Sequence, residues 1–496
     1  MTPRWHSFLD LHVRDQPDAM AVIDAGGQRW SYAALDAAVD GVTMLLRQRG
    51  VRPGDRVLLL LENCAAAVAV MFACARAGVT VIPVNARQTE AEVARVIAHA
   101  EPMMAFMTHA DSTDAAAHAQ RMGAEPQAGA FGHLSSIALG PSQPDDDPDL
   151  AVLLYTTGTT GTPKGVMITH DNLHFAGQAA RDFRSLGPGH LVYGVAPMAH
   201  VIGLASMMTA VICAGATAWL EARFEAPRLY DALQAGVTHL PGVPQMHALL
   251  MSHVQEKGHD ALNSPHLRYV SSGGAPLDPA WKRKAEAFYG LPLQNGYGMT
   301  ETAAATHITF SKLGDPDVSV GPCLPGVEMR IDTSVPGGTE GSGEVLVRGP
   351  NVMKGYYRNP EATAEALMPD GWLRTGDLGR IDAQDRLHIL GRSKELIIHG
   401  GFNVYPPEVE AALNDHADVV QCAVIGQKVG FDEKPVAFVQ VTPGAKIDEA
   451  ALKAFVKDRL AGYKRPVRII IAHSLPAAPT GKILKHRLLD HFADAL

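Results

Sequence analysis

The sequence predicts an α/β protein: a large N-terminal domain of parallel-rich αβ sheets with a small β-rich subdomain, followed by an α+β C-terminal domain. Strand-length apolar runs such as Arg56–Leu61 and Gly78–Pro83 alternate with Ala-rich helical stretches through residue 271, a pattern typical of βαβ units. Between residues 317 and 392, short apolar runs are separated by Gly, Pro and Asp turns, which indicates a small β-rich subdomain. Residues 393–496 have a compact α+β pattern.

The chain of 496 residues exceeds the roughly 250–300 residues at which a single core stops growing. We therefore expect two domains, residues 1–392 and a C-terminal lid of residues 393–496. The polar stretch Pro141–Pro148 reads as a linker. The remaining predicted strands are Leu191–Pro197, Gly215–Leu220, Thr238–Pro241, Leu267–Ser271, Gly343–Gly349, Arg386–Gly391, Val419–Ile425, Val436–Val441 and Pro466–Ile471, and the helix predicted in the lid is Asp448–Leu460.

Composition limits the function classes. A net charge of −9 gives no electrostatic reason to expect a nucleic-acid partner. Five scattered cysteines without CxxC spacing are typical of unpaired thiols in a reducing compartment and argue against a zinc site. The N-terminus lacks the apolar core of a signal peptide, so we expect a cytoplasmic protein.

One segment has the length of a membrane span. Val201–Leu220 contains no charged residue, and about 20 apolar residues suffice to cross a bilayer. It also contains Gly203, Thr209 and Gly215, and it follows a polar loop. We expect a buried helix leading into a strand, and no stable membrane insertion.

The segment Tyr155-Thr-Thr-Gly-Thr-Thr-Gly-Thr-Pro-Lys-Gly165 carries the clearest chemical signal. Its glycines allow a tight curl with inward N–H groups, and the Thr hydroxyls and Lys164 add donors and a positive charge. Such a loop suits a polyphosphate. It is not a Walker A loop, because Lys164 is followed by Gly165 rather than by Ser or Thr. A polar turn between two strands is the alternative.

Four further segments fit a nucleotide site. Ser271–Pro276 contains two glycines that leave flat backbone for a purine, and Asn295–Glu301 combines an aromatic ring, a hydroxyl and a carboxylate that suits Mg²⁺. Gly371–Asp377 ends in an acid suited to a ribose diol, and Pro479–Ile483 places a lysine on a tight turn. Taken singly, each has a plain alternative, such as a turn cap or a solvated surface charge.

In this order and at these separations the motifs resemble those of the ANL superfamily of adenylate-forming enzymes, in its acyl-CoA synthetase branch, over roughly residues 10–490. The resemblance implies an AMP-forming acid–thiol ligase with ATP, Mg²⁺ and coenzyme A. A carboxylate attacks the α-phosphorus of ATP to give an acyl-adenylate and pyrophosphate, and a thiol then displaces AMP. Such chemistry depends mainly on positioning and charge neutralisation.

The resemblance also implies residue roles. The β- and γ-phosphates are bound by Thr156, Thr157, Gly158, Thr159, Thr160 and Lys164. Catalysis involves Lys482, Thr300, Glu301 and His200, with the metal held by Glu301 and Thr156. Adenosine is bound by Gly274, Ala275, Tyr297, Gly298, Met299, Asp377 and Arg392. The lid rotates between half-reactions about a hinge at Lys394, and the CoA channel is lined by Gly400, Gly401 and Asn403.

The acid is expected to be a monocarboxylic acid with an uncharged tail, fatty or aryl. The amino-acid-activating enzymes that this chain resembles carry an Asp at about the position of Ile202. Without that Asp, the unpaired ammonium group of an amino acid in an apolar pocket would cost several kcal/mol. Malonate-type synthetases need an Arg to pair with the second carboxylate of the substrate. The segment Gly242–Leu250, which is expected to form a wall of the acyl pocket, contains only His247 as an ionisable residue. The predicted acyl-pocket residues are small, apolar or imidazole: His200, Val201, Gly203, Val243, Met246 and Gly273. A structural role for His200 remains the alternative.

Coenzyme A is the expected acceptor, because no carrier-protein segment is visible in the sequence. A stand-alone adenylating enzyme that passes the acyl group to a carrier protein or an amine is the alternative. A regulatory protein without catalysis is disfavoured, since every motif residue is present. The sequence leaves the oligomeric state open between monomer and homodimer.

Overall fold

The computed structural model describes residues 3–141, 143–145, 147–157, 163–274, 277–336, 338–400, 402–429, 432–442, 444–477 and 483–495. The strands within these residues are β1 (Met20–Ile23), β2 (Arg29–Ser31), β3 (Arg56–Leu61), β4 (Thr80–Asn85), β5 (Met104–Met107), β6 (Glu125–Gly129), β7 (Gly132–Ala138), β8 (Leu150–Thr157), β9 (Pro163–Thr169), β10 (Leu191–Gly194), β11 (Thr217–Leu220), β12 (His239–Gly242), β13 (Tyr269–Ser272), β14 (Leu293–Met299), β15 (Ala304–Ile308), β16 (Glu328–Asp332), β17 (Ser342–Arg348), β18 (Leu373–Ile381), β19 (Leu387–Arg392), β20 (Ile397–His399), β21 (Phe402–Val404), β22 (Val419–Val429), β23 (Asp432–Val441) and β24 (Arg468–Ala472).

The α-helices within the same residues are α1 (Ser7–Asp15), α2 (Tyr32–Gln48), α3 (Ala65–Ala77), α4 (Glu90–Ala100), α5 (Thr113–Met122), α6 (His170–Arg184), α7 (Ala210–Ala214), α8 (Ala226–Ala235), α9 (Pro244–Glu256), α10 (Pro279–Tyr289), α11 (Pro360–Ala366), α12 (Pro406–Asn414), α13 (Glu449–Lys457) and α14 (Leu488–His491). Several begin at a side-chain cap, as where Ser31 accepts from the Ala34 N–H and Asp448 from the Ala451 N–H. Such caps satisfy backbone donors that have no partner inside the helix.

Two large sheets form the N-terminal part. One has the strand order β6-β7-β5-β3-β4-β8-β9, and the other β15-β14-β13-β12-β10-β11-β1-β2. In the second sheet, β1 and the strands from β10 to β14 run parallel. The helix α3 is buried around nearly its whole circumference within the largest apolar cluster, which is why its sequence is almost entirely alanine and other apolar residues.

The smaller sheets follow in the C-terminal third. β16 to β19 form an antiparallel four-stranded sheet, and β22, β23 and β24 form a second sheet against which α12 and α13 pack. The predicted β-rich subdomain and α+β C-terminal domain are therefore confirmed. The division of the chain at residue 392 stays a prediction.

The segment Val201–Leu220 folds as predicted. It forms a π-helix over Ile202–Thr209, continues as α7 and then enters β11. Nearly all of these side chains are buried. Across the described part of the chain, no helix combines the length and apolar character needed to cross a bilayer. All five cysteines are unpaired, and four of them are buried.

The predicted linker Pro141–Pro148 is held more firmly than its composition indicates. Asp145 makes an ion pair of 2.7 Å with the buried Arg56, and Asp147 one of 2.8 Å with Lys354. Both contacts join the linker to distant segments. Asp145 and Asp147 are therefore held by ion pairs to other parts of the chain ahead of β8.

Candidate active site

Three of the predicted site segments lie close together because they are at the ends of neighbouring parallel strands. β12, β13 and β14 lie side by side, and the N–H of Gly273, just beyond β13, donates to the carbonyl of Gly242, the last residue of β12, at 3.1 Å. The carboxyl ends of parallel strands share one edge of a sheet, where α/β proteins bind ligands. This edge brings together the glycine segment after β13, the aromatic segment in β14 and the wall that begins after β12.

Tyr297, Asp377 and Arg392 form one contact group between β14 and the β-rich subdomain. The Tyr297 hydroxyl donates to Asp377 Oδ2 at 2.5 Å, and Arg392 Nε lies 3.2 Å from Asp377 Oδ1. Burial, together with the Asp377 carboxylate, raises the pKa of Tyr297 well above its usual range. The phenol thus remains a donor at neutral pH, and the largely buried carboxylate is held in a fixed orientation.

A tight turn after β14 presents the next two predicted residues, Thr300 and Glu301. A Cβ on Gly298 would lie 1.6 Å from the Ala304 carbonyl oxygen, so only glycine fits there. Ala304 has φ +97°, a conformation disfavoured for residues with a side chain. The Thr302 hydroxyl donates to the same Ala304 carbonyl at 2.9 Å. Close packing and local strain together set the direction of the turn.

Tyr356, which was not predicted from the sequence, joins Glu301 to the hairpin of β8 and β9, here called the phosphate hairpin. Its hydroxyl donates to Glu301 Oε1 at 2.8 Å, and Lys164 Nζ lies 4.8 Å from its ring centroid, within the range of a cation–π contact. The backbone of Tyr356 forms a bridge with Val166 in β9. A Gly-Tyr-Tyr sequence so far from the loop gave no signal of this contact.

The predicted phosphate-binding segment Tyr155–Gly165 includes the end of β8 and the start of β9. β8 and β9 pair antiparallel, with Thr156 opposite Lys164, so two predicted ligands are neighbours across the hairpin. The backbone of Thr157 belongs to the same pairing. Six predicted site residues lie outside the described residues: Gly158, Thr159, Thr160, Ala275, Gly401 and Lys482.

His247 is a structural residue rather than a wall cation. It is fully buried, its Nδ1 lies 2.7 Å from the Tyr289 hydroxyl, and its Nε2 lies 3.2 Å from the Ser271 carbonyl. A carbonyl can only accept, so Nε2 carries the proton and Nδ1 accepts from the tyrosine. Burial lowers the pKa of His247 to about 4, so the ring is neutral at physiological pH.

The other predicted pocket residues divide into two groups. Val243 and Met246 are half-buried at the start of α9, and an added Cβ on Gly273 would meet no atom within 4 Å, so these three border open space. Val201, by contrast, packs in the core, and a Cβ on Gly203 would lie 2.2 Å from the Pro197 carbonyl. Val201 and Gly203 are therefore enclosed by protein.

His200 and Ile202 stand at the start of the π-helix. The Ile202 N–H donates to His200 Nδ1 at 3.3 Å, and the His200 carbonyl accepts from the Leu204 N–H at 2.9 Å. Both side chains are half-buried. Ile202, at the position where amino-acid-activating enzymes are expected to bind the substrate ammonium group, has an aliphatic side chain. Its place in the acyl pocket stays a prediction.

The predicted hinge and CoA-channel residues lie beyond β19. Lys394 is exposed in the 3₁₀ turn Ser393–Glu395. Gly400 has φ +58° and follows β20, and Asn403 in β21 pairs with Ile398. Gly400 thus occupies a conformation that favours glycine.

Comparison with known proteins gives the family. The model for "AMP-binding enzyme" matches residues 9–357, and that for "AMP-binding enzyme C-terminal domain" matches residues 408–482. A feruloyl-CoA synthase from an Amycolatopsis species is 35% identical over 493 residues, covering 97% of each chain. This chain therefore belongs to the AMP-binding enzymes, in the acyl-CoA synthetase branch of the ANL superfamily.

Solved structures agree with this assignment. ATP-bound MatB from Rhodopseudomonas palustris is 33% identical with a TM-score of 0.84, covering 99% of this chain and 100% of that one. The O-succinylbenzoate coenzyme A synthetase MenE from Bacillus subtilis, in complex with ATP and a magnesium ion, is 27% identical with a TM-score of 0.80, covering 97% and 98%.

The protein is an AMP-forming acid–CoA ligase, as the motif set predicts. Its substrates are a small carboxylic acid, ATP and CoA. The relatives favour CoA as the acceptor over a carrier protein or an amine.

Proposed function

We propose that this ligase activates a monocarboxylic acid with an uncharged aryl tail. The observation that carries the proposal is the neutral His247: within residues 242–250, all of them described, it is the sole ionisable side chain, and it is buried among Tyr289 and Ser271. Residues 242–250 therefore supply no cation for a second carboxylate. The similarity to a feruloyl-CoA synthase supports an aryl rather than a fatty acid.

ATP binding is assigned to residues whose geometry fits its parts. Asp377, oriented by Tyr297 and Arg392, would accept from the ribose hydroxyls. Gly274, with φ +80°, offers a flat surface for the purine beside the Tyr297 ring. Lys164, at the base of the phosphate hairpin, supplies positive charge to the β- and γ-phosphates, and the backbone at Gly298 and Met299 leads to the Thr300 hydroxyl at the α-phosphate.

Glu301 and Thr156 would hold the magnesium ion. The Glu301 carboxylate is half-buried, and Tyr356 occupies Oε1, so Oε2 provides an oxygen of the kind that Mg²⁺ prefers. Among the described residues there is no cluster of three or more metal-binding side chains, which suits an ion bound mainly through substrate phosphates and one carboxylate. When bound, the ion neutralises phosphate charge.

Lys482 is assigned to the first half-reaction. A lysine between the acid and the α-phosphate stabilises the charge that develops as the carboxylate attacks and pyrophosphate leaves. Rotation about Lys394 would then withdraw it and bring Gly400 and Asn403 to the thiol channel. CoA attacks the acyl carbon, the bond to the AMP oxygen breaks, and AMP leaves.

A matched acid panel tests the substrate class. The kcat/KM for acyl-CoA formation is measured with a hydroxycinnamate, fatty acids of increasing length and an aryl dicarboxylate of the same size. We expect the hydroxycinnamate to exceed the dicarboxylate by about a hundredfold or more, because a buried unpaired charge costs several kcal/mol. A preference for the dicarboxylate would refute the uncharged wall, and a preference for a fatty acid would refute the aryl tail.

A further inference from the structure

A half-buried lysine near the C-terminus connects two segments to which different parts of the reaction are assigned above. Lys485 Nζ lies 2.8 Å from Glu395 Oε2 and 2.9 Å from Glu410 Oε1. Glu395 is in the 3₁₀ turn that contains the proposed hinge residue Lys394, and Glu410 is in α12. One ammonium group thus joins the hinge turn, a lid helix and the C-terminal segment.

The two carboxylates anchor the lysine differently. Glu410 Oε1 also accepts from the Val424 N–H at 2.8 Å, so Glu410 is fixed to the central sheet of the lid. Glu395 lies one residue beyond Lys394, on the lid side of the hinge. Burial alone would lower the pKa of Lys485, but Glu410 and Glu395 outweigh it and raise the pKa. The lysine therefore stays charged and paired.

The same segment closes the base of the chain that bears Lys482. Ala477 and Ile483 form an antiparallel bridge, and the Leu484 N–H donates to the Pro476 carbonyl at 2.8 Å. The chain entering residue 478 and the chain leaving residue 482 are thus held together. Lys482 directly precedes Ile483 in the sequence.

We propose that Lys485 is a positioning residue: it fixes the base of the Lys482 segment to the hinge turn through Glu395, so that both move as one body when the lid rotates. The inference rests on the proposed roles of Lys482 and Lys394. A rotation at the hinge then delivers Lys482 to the α-phosphate in a defined place. Without the tether the hinge still turns, but the position of the catalytic lysine is less well defined.

Half-reaction kinetics test this proposal. Adenylation is measured by acid-dependent pyrophosphate exchange without CoA, and thioester formation is measured from supplied acyl-adenylate. Lys485→Met should lower adenylation about tenfold to a hundredfold, the cost of a small misplacement of a catalytic group, and leave thioester formation within about twofold. Lys485→Arg should restore most of the adenylation rate, because it keeps the charge and both carboxylate partners.

Two further variants separate positioning from stability. Lys453→Met removes a lid lysine that pairs with Glu449 at 2.9 Å on α13, and it should leave both half-reactions unchanged. Glu395→Gln should lower adenylation as Lys485→Met does, with no added loss in the double variant. Equal loss of both half-reactions in Lys485→Met, or the same loss in Lys453→Met, would overturn the tether.

Lys482→Ala, measured beside these variants, distinguishes a failure of the Lys485 tether from a failure of the proposed role of Lys482. If it loses adenylation selectively while Lys485→Met and Glu395→Gln do not, the tether is wrong and the proposed role of Lys482 stands. If Lys482→Ala does not lose adenylation selectively, the role of Lys482 and the tether that depends on it both fail. Loss in all three variants, with Lys453→Met unaffected, is the result we expect.

Discussion

The hydroxyl of Tyr356 donates to Glu301 at 2.8 Å while the ammonium of Lys164 lies 4.8 Å from the centre of the same ring. One side chain thus connects the strand that leaves the phosphate loop to the carboxylate assigned to the metal. Burial and the Glu301 carboxylate raise the pKa of Tyr356 well above its usual range, so the phenol acts as a donor. Lys164 in β9 and the Glu301 carboxylate are therefore held in fixed positions relative to each other.

Tyr356→Phe should impair adenylation while keeping the ring beneath Lys164. Losing a hydrogen bond to a charged group costs about 1.5–3 kcal/mol, a decrease of about ten- to a hundredfold in kcat/KM for ATP, with a higher Mg²⁺ requirement. Tyr357→Phe is the matched control, because that hydroxyl bonds Asp145 at 3.2 Å instead. An unchanged Mg²⁺ dependence in Tyr356→Phe would show that Glu301 does not need this donor.

Asp377→Asn should raise the KM for ATP by about tenfold or more, because it removes the charge paired with Arg392 and weakens acceptance from the ribose. The ribose contact itself is tested with 2′-deoxy- and 3′-deoxy-ATP. The wild type should bind at least one of these analogues more weakly than it binds ATP. The Asp377→Asn variant should bind that analogue and ATP with about the same affinity. Asp332→Asn, which breaks a pair with Arg374 on the same sheet, should change neither value. If the affinity losses caused by the analogue and by Asp377→Asn were additive, Asp377 would not be the residue that contacts the ribose.

Lys482→Ala should abolish most acid-dependent pyrophosphate exchange and leave thioester formation from a supplied acyl-adenylate largely intact. The reason is that its charge is needed only while the carboxylate attacks phosphorus. Rapid-quench measurement of each half-reaction gives the two rates separately. Parallel loss of both rates would contradict a role confined to adenylation.

The buried His247 should make folding stability depend on acid pH. Its folded-state pKa of about 4 lies below the ordinary 6.5, so the unfolded chain binds the proton first, and the free energy of unfolding falls as the pH drops from about 6.5 to about 4. The full effect is worth about 3 kcal/mol. Urea titrations of His247→Gln should show a shallower fall than the wild type, with exposed His266→Gln as control. Parallel curves for all three proteins would mean that His247 does not contribute.

Much of the architecture follows from local pattern. Strand β3 appears in the sequence as a short apolar run, because strands buried on both faces contain few polar positions. The boundaries of β18 and the pairing of β8 with β9 could not be predicted, since they depend on partners distant in sequence. The π-helix at Ile202 is likewise set by packing, through the approach of Gly203 to Pro197.

Contiguous motifs such as Asn295–Glu301 are enough to predict candidate site residues from the sequence, and their roles stay predictions. The site was not predictable where one side chain reaches another part of the fold: Tyr356 to Glu301, or Lys485 to Glu395. His247 shows the opposite case, a residue near the pocket in sequence that the structure assigns to packing against Tyr289. Hydrogen-bond partners of this kind become visible only in three dimensions.

Isotope transfer from the acid to AMP tests the central claim most directly. The enzyme is supplied with ATP, Mg²⁺, CoA and an aryl acid labelled with ¹⁸O in its carboxylate, and the products are analysed by mass spectrometry. If the carboxylate attacks the α-phosphorus and the acyl carbon–oxygen bond is then cleaved, the products are acyl-CoA, pyrophosphate and AMP. Each AMP then carries one ¹⁸O from the acid. Label in inorganic phosphate, with ADP as the nucleotide product, would contradict an acyl-adenylate route.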